Sequence, residues 1–330
     1  ATSFTGTTVT FNGTVTGGTN SLSITGNAVF GDASGDTVTG VTTLEVSGTS
    51  TINTGTISTT TGGQTYTGAV TLGTDVTFTG NATTLVRFGS TLGGGLTARS
   101  VAVSTADARF DGAVGGAGNL VSAVSVAGTT LVNTGTISTT TGGQTYTGAV
   151  TLGTDVTFTG NATTLVRFGS TLGGGLTARS VAVSTADARF DGVVGGAGNL
   201  VSAVSVAGTS AINTTSITTT TTQQYSGAVT LGANTTLNGT GITFVSAVNA
   251  DLAASDRTLT VNGIIATTFG GAVGTTQSLL SVTTDAAGTV AINGGAVTTS
   301  GAQTYNDPLT LGAATSFTGT TVTFNGTVTG

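Results

Sequence analysis

The chain has 330 residues, is 37% hydrophobic and only 6% charged, and carries a net charge of −6 with a pI near 4.2. Lysine, histidine, cysteine, methionine and tryptophan are all absent, while glycine numbers 55 and proline one. These values exclude disulfides and thiolate metal sites, leave no basic footprint for nucleic acid, argue against disorder, and disfavour long helices in a chain dominated by Thr, Val, Ile and Gly.

The opening residues, ATSFTGTTVTFNGTVTG, contain no basic residue and no apolar core, so no secretion leader is read there. No window holds 18 uninterrupted apolar residues, and four Tyr without Trp cannot supply the aromatic girdles of a transmembrane barrel. GDASGD follows, with Asp32 and Asp36 flanking a turn: a weak hint of a hard-cation site, with a plain polar turn as the simpler reading.

From residue 53 the chain repeats itself. TGGQTYTGAVTLG at 61–73 returns unchanged at 141–153, and Asn53, Asn133, Asn213 and Asn293 recur at one fixed interval. Residues 53–129 recur at 133–209 with one change, Ala113 becoming Val193. The modules are 53–132, its near-identical copy 133–212, and a divergent 213–292. Segment 1–52 reads as the end of a 73-residue module and 293–330 as the start of the next, because 314–330 repeats 1–17. The chain is therefore expected to be a window on a longer tandem array with a 313-residue period.

Within each module the pattern alternates with period two. Val70, Leu72, Val76 and Phe78 share one parity; Ala106, Ala108 and Phe110 alternate with Asp107, Arg109 and Asp111; Leu120, Val124 and Val126 are placed on one face, with Val121 breaking the pattern. Glycine- and asparagine-rich corners (FNG, GGG, GGAGN, NTG) separate runs of about five to seven residues. Short strands, frequent corners and tandem identity point to an all-β, parallel β-solenoid of about 20 residues per coil. An 80-residue module then makes about four coils, with three larger ones as the alternative. The 313-residue period should rise roughly 75 Å at about 4.8 Å per coil. Asn53 and its equivalents are expected at corners, bonding along the axis.

Without His, Cys or Lys, the catalytic options are carboxylates, Tyr and Arg. The best cluster, Asp107–Arg109–Asp111 with its copy Asp187–Arg189–Asp191, reads as a solvated ion-pair group on an outer face. GGGLTA and GGAGN lack the Lys of a phosphate loop and read as corners. Asn12, Asn81, Asn161, Asn213, Asn234, Asn238 and Asn325 begin N-x-Ser/Thr acceptors, which a threonine-rich chain produces by chance. Outward rows such as Thr8/Thr10 and Thr77/Thr79 raise a second possibility, a surface that binds ice or glycan. No catalytic, metal-binding or cofactor-binding residue is expected.

GGQTYTGAVTLG, DVTFTGN, VTFNGTVTG and SVAGTTLVNTGTISTTTG together resemble the long repeat regions of filamentous-haemagglutinin-type adhesins, over the whole chain. The resemblance implies a right-handed parallel β-helix shaft, export across an outer membrane, and a role in adhesion or aggregation; it carries over no catalytic position. The expectation is therefore a non-enzymatic structural segment of an extracellular, cell-surface fibre. Its partners would be further copies of the same repeat, lateral neighbours in a bundle, and host or neighbouring-cell surfaces, with no nucleic acid. The alternative is a surface-binding module using its Thr-rich faces.

Overall fold

The structure, a computed structural model, describes residues 1–252 and 257–330; residues 253–256, inside the divergent module, lie outside the described residues. The described residues form short strands and no helix, and every strand pair they make is parallel. The chain divides into two compact units, Ala1–Arg167 and Phe168–Gly330. Each is a three-sided β-solenoid.

In Ala1–Arg167 the register defines three interior columns. On the first side Ile24, Val46, Tyr66, Phe88, Phe110, Val132 and Leu152 stand one above another. The second side stacks Ala28, Ser50, Val70, Leu92, Val114, Ile137 and Phe158. The third stacks Val15, Val38, Ile57, Phe78, Val103, Val126 and Tyr146. Thr37 pairs with Thr56, Leu22 with Leu44 and Val76 with Val101, so the coil has the expected size. Alternation sends each of these side chains into the coil and its chain neighbours outward, and each large apolar side chain buried this way contributes about 1.5–3 kcal/mol. Unit Phe168–Gly330 follows the same plan, with Val183, Val206, Tyr225, Phe244, Phe269, Ile292 and Leu311 forming one of its columns.

Some aromatic residues stack ring on ring within a column. Ring centroids of Tyr66–Phe88 and Phe88–Phe110 are each 5.6 Å apart and tilted by 10° and 6°. Phe78 meets Phe88 edge-on from the third side, at 5.0 Å. Tyr225–Phe244–Phe269 repeat the stack in the other unit, at 5.5 and 5.2 Å.

The module takes up about four coils, as expected, and the exact count is a fraction short of four. From Gln64–Tyr66 the chain lays down Val70–Leu72, Val76–Thr79, Leu85–Phe88, Leu92–Gly93, Arg99–Ser104, Asp107–Phe110, the bridge at Val114, Val121–Val126, Thr130–Val132 and Thr136–Ser138, then reaches Gln144–Tyr146 as the eleventh side. Eleven sides are three and two-thirds coils. Tyr66 therefore lies on the first side and Tyr146, the same residue of the next copy, on the third. Tyr225 and Tyr305, again one module apart, likewise stand on different sides of their own unit.

One inward assignment changes. Leu120, expected inside, is half-buried, and Val121 turns in beside Val124 and Val126. The cause is a β-bulge: Val121 to Val124 span the two steps that Arg99 to Val101 take on the strand below, and the extra residue reverses the parity. The same bulge recurs at Val201–Val204. At the corners, Asn53 donates 3.0 Å to the Gly31 carbonyl, while Asn133 and Asn213 donate 2.7 and 2.8 Å to Asp111 and Asp191, all about one coil away along the axis. Gly115, with φ +70, must be glycine, because a Cβ would overlap the Ser138 carbonyl.

Truncating the middle ring of the stack, Phe88→Ala, should cost about 3–5 kcal/mol in equilibrium denaturation, against less than about 0.5 kcal/mol for the outward Thr65→Ser.

Candidate functional site

The chain's chemistry-bearing groups divide between the interior and the corners. Inside, one polar motif recurs in every module: a glutamine two residues before each tyrosine, both facing in. Tyr66 Oη donates to Gln64 Oε1 at 3.0 Å, and Gln64 Nε2 donates to the carbonyls of Ile57 and Thr79 at 3.1 and 2.9 Å. Those two carbonyls belong to third-side strands of successive coils, so the amide crosses the interior and ties them together. Gln144–Tyr146, Gln223–Tyr225 and Gln303–Tyr305 repeat the arrangement. Burial pushes all four tyrosine hydroxyls above the ordinary phenol value, so they serve as neutral donors. The tyrosine period is visible in the sequence. The glutamine partner is equally periodic and is the signal that the sequence reading missed.

Outside, the expected cluster forms but is fully engaged. Asp111 accepts from Arg87 Nε, Arg109 Nε and Asn133 Nδ2, each at 2.7 Å. Arg87 comes from the coil below, directly beneath Arg109. Burial raises the Asp111 carboxyl, but the hydrogen bonds from Asn133, Arg109 and Arg87 outweigh it and hold the group below its ordinary range. Asp107, two residues before Arg109, accepts the Thr129 N–H at 2.7 Å and caps that corner. Asp191 in the second copy binds Arg189 and Asn213 in the same way. The two carboxylates of each cluster thus have separate structural tasks.

The other sequence candidates are corner devices. Asp36 closes its own turn by accepting the N–H groups of Asp32 and Ala33, both at 3.1 Å. Asn81 accepts from the Thr83 N–H and hydroxyl and donates to the Thr60 carbonyl; Asn161 does the same one module on. Gly94 and Gly116 hold the turns of the two glycine-rich corners. Among the described residues no three acidic, His or Cys side chains converge as metal ligands. An open cavity of about 180 Å³ lies within the first coil, between Phe4, Phe11, Val15, Leu22 and Val41, and its lining holds no titratable side chain.

The outward rows differ between the units. On the first side of Ala1–Arg167 the row reads Ser23, Glu45, Thr65, Arg87, Arg109, Leu131, Thr151, a mixture of shapes and charges. In Phe168–Gly330 one row is uniform: Thr236, Thr260, Thr283, Thr304 and Thr323 stack in register above Ser216. No helix of the described residues is long and apolar enough to cross a membrane. Compared with family models, curated proteins and solved structures, the chain matches none of them.

Gln64→Ala strips the partners from two buried carbonyls and one hydroxyl and should cost about 1–3 kcal/mol for each group left unpaired, whereas Tyr66→Phe should cost only about 0.5–1.5 kcal/mol. Because the Asp111 carboxyl is held low, its contribution is present above the ordinary carboxylate range and lost as pH falls through its folded value. Asp111→Asn should flatten the acid limb of the stability–pH profile, read by thermal unfolding between about pH 5 and pH 2.

Proposed function

We propose that this chain is a structural segment of a long extracellular β-solenoid fibre, an adhesin-type shaft that spaces or stiffens and whose activity is geometric rather than enzymatic. The observation that carries the reading is the eleven-side module. Among the described residues coil length stays within narrow limits, from the step Val41–Thr59 to the step Val76–Val101, and no described insertion is large enough to build a cleft or a lid over a side. Since eleven is not a multiple of three, each copy presents its outward residues on a different side from the last. A feature repeated in sequence is thereby spread round the axis instead of accumulating on one face. What accumulates is length.

The likeness to filamentous-haemagglutinin-type repeats supports an outer-surface location and a place in adhesion. The 6% charge lets such shafts lie side by side with little repulsion.

A concatemer of the module 53–132 tests this. At about 4.8 Å per coil, each added copy should lengthen the particle by about 18 Å and turn it by about a third of a revolution, which helical reconstruction from electron micrographs measures directly. Particles that grow in width rather than length with copy number would refute the shaft.

A second reading rests on the uniform threonine row of Phe168–Gly330, a regular hydroxyl–methyl strip that could dock on an ordered surface such as ice or a glycan. Thr260→Lys with Thr283→Lys would abolish such binding, measured as ice-growth inhibition or glycan retention, while leaving shaft length unchanged. Equal binding before and after the change removes this reading.

A further inference from the structure

Among the described residues, Asp307 is a buried carboxylate with both oxygens short of partners. It is 1% exposed, and the Thr284 hydroxyl is the one side-chain donor acting on its carboxylate, without closing a hydrogen bond of full geometry to either oxygen. Its place in the module is held by Gly68, Gly148 and Gly227 in the other copies, where a Cβ would overlap the backbone of Gly48, Gly128 and Gly208 in the coil below. Room for a larger side chain exists at 307 because the corner beneath is wider. Five residues, 285–289, separate Thr284 from Val290 there, against three, 306–308, between Tyr305 and Leu309 directly above.

The widened corner is polar. Asp285 opens it, with the carboxylate oxygen Oδ1 buried and unpartnered, and interacts electrostatically with Asp307. Thr284, fully buried, sets its hydroxyl beside Asp307 and accepts the Asn306 N–H at 3.2 Å. Asn306 in turn donates to the Thr284 carbonyl at 2.7 Å and accepts from Asn325 at 2.7 Å, which fixes the rim. Backbone N–H groups of Gly263 and Ala287 point at Asp285, and no Lys, Arg or His is among the groups that act on either carboxylate.

We propose that the corner formed by Thr284, Asp285 and Asp307 binds a small hard cation of the calcium class. Three unpartnered carboxylate oxygens from two adjacent coils, with a neutral hydroxyl beside them, form an oxygen-only donor set. Two carboxylates balance one divalent charge, and calcium accepts the irregular coordination that a solenoid corner allows, where magnesium demands an octahedron. The ion would clamp two successive coils at a corner that carries excess negative charge without it.

The test uses the full chain at pH 7.5, stripped with chelator and titrated with calcium, in parallel with Asp307→Gly, which restores the residue of the other modules, and Asp307→Asn. Calorimetry should find one calcium per wild-type chain and a raised unfolding midpoint, with both lost in either variant; magnesium should do markedly less. In chelator, Asp307→Gly should unfold at a higher temperature than wild type, since it removes the uncompensated charge. The opposing outcome is a corner that holds a proton instead. Burial, and then the neighbouring Asp285, push the Asp307 carboxyl up to about 6. A group raised in this way stabilises the fold below the ordinary carboxyl range and loses that contribution as pH rises through about 6. Stability that falls over that interval and does not respond to calcium at pH 7.5 would overturn the cation site.

Discussion

Every feature of this molecule follows from one constraint: parallel strands of successive coils must share their backbone hydrogen bonds. That pairing places each inward side chain directly against its equivalent one coil away, about 4.8 Å along the axis. Interior residues are therefore chosen by what they can stack upon. Planar rings stack on planar rings in Tyr66–Phe88–Phe110, while Phe78 stands between the aliphatics Ile57 and Val103 in its column. The same constraint holds coil length within narrow limits, because any coil must return its chain to the ladder in register. Extra residues are confined to corners and bulges, as at Val121–Val124 and 285–289.

Pairing between coils leaves the ends of strands exposed to a second demand, that buried carbonyls find donors. The glutamine–tyrosine pair answers it from inside the coil. An amide can donate twice and accept once in one plane, so Gln64 serves two carbonyls and still receives the Tyr66 hydroxyl. Because the pair recurs with the module and the module advances eleven sides, the tie moves round the axis from copy to copy. Within Ala1–Arg167 it stands on the first side at Tyr66 and on the third at Tyr146.

Charge is used sparingly and locally. Asp111 joins two arginines from adjacent coils with an asparagine from a third, so the group works as a rivet on the outer face. Asp307 is the contrary case, a buried carboxylate with no cation beside it and only the Thr284 hydroxyl acting on it as a side-chain donor. The other modules carry glycine at that position, so the corner departs from the repeat.

The sequence alone determined the fold class, the coil size and the inward set of Val70, Leu72, Val76, Phe78, Ala108 and Phe110, because period-two alternation and tandem identity are local properties that a linear reading can count. It also showed that the Asp107–Arg109–Asp111 group faces outward. Three matters needed the tertiary structure. The parity reversal at Val121 depends on a bulge defined only against the strand below. The partner of Asp111 from the neighbouring coil, Arg87, is distant in sequence and is brought close by register, not by sequence spacing. The phase of the module against the coil depends on how many corners the chain turns within one module, and corner count is set by packing between coils. For the same reason the isolated carboxylate at 307, which in sequence is only a glycine replaced, becomes a buried charge once the coils are stacked.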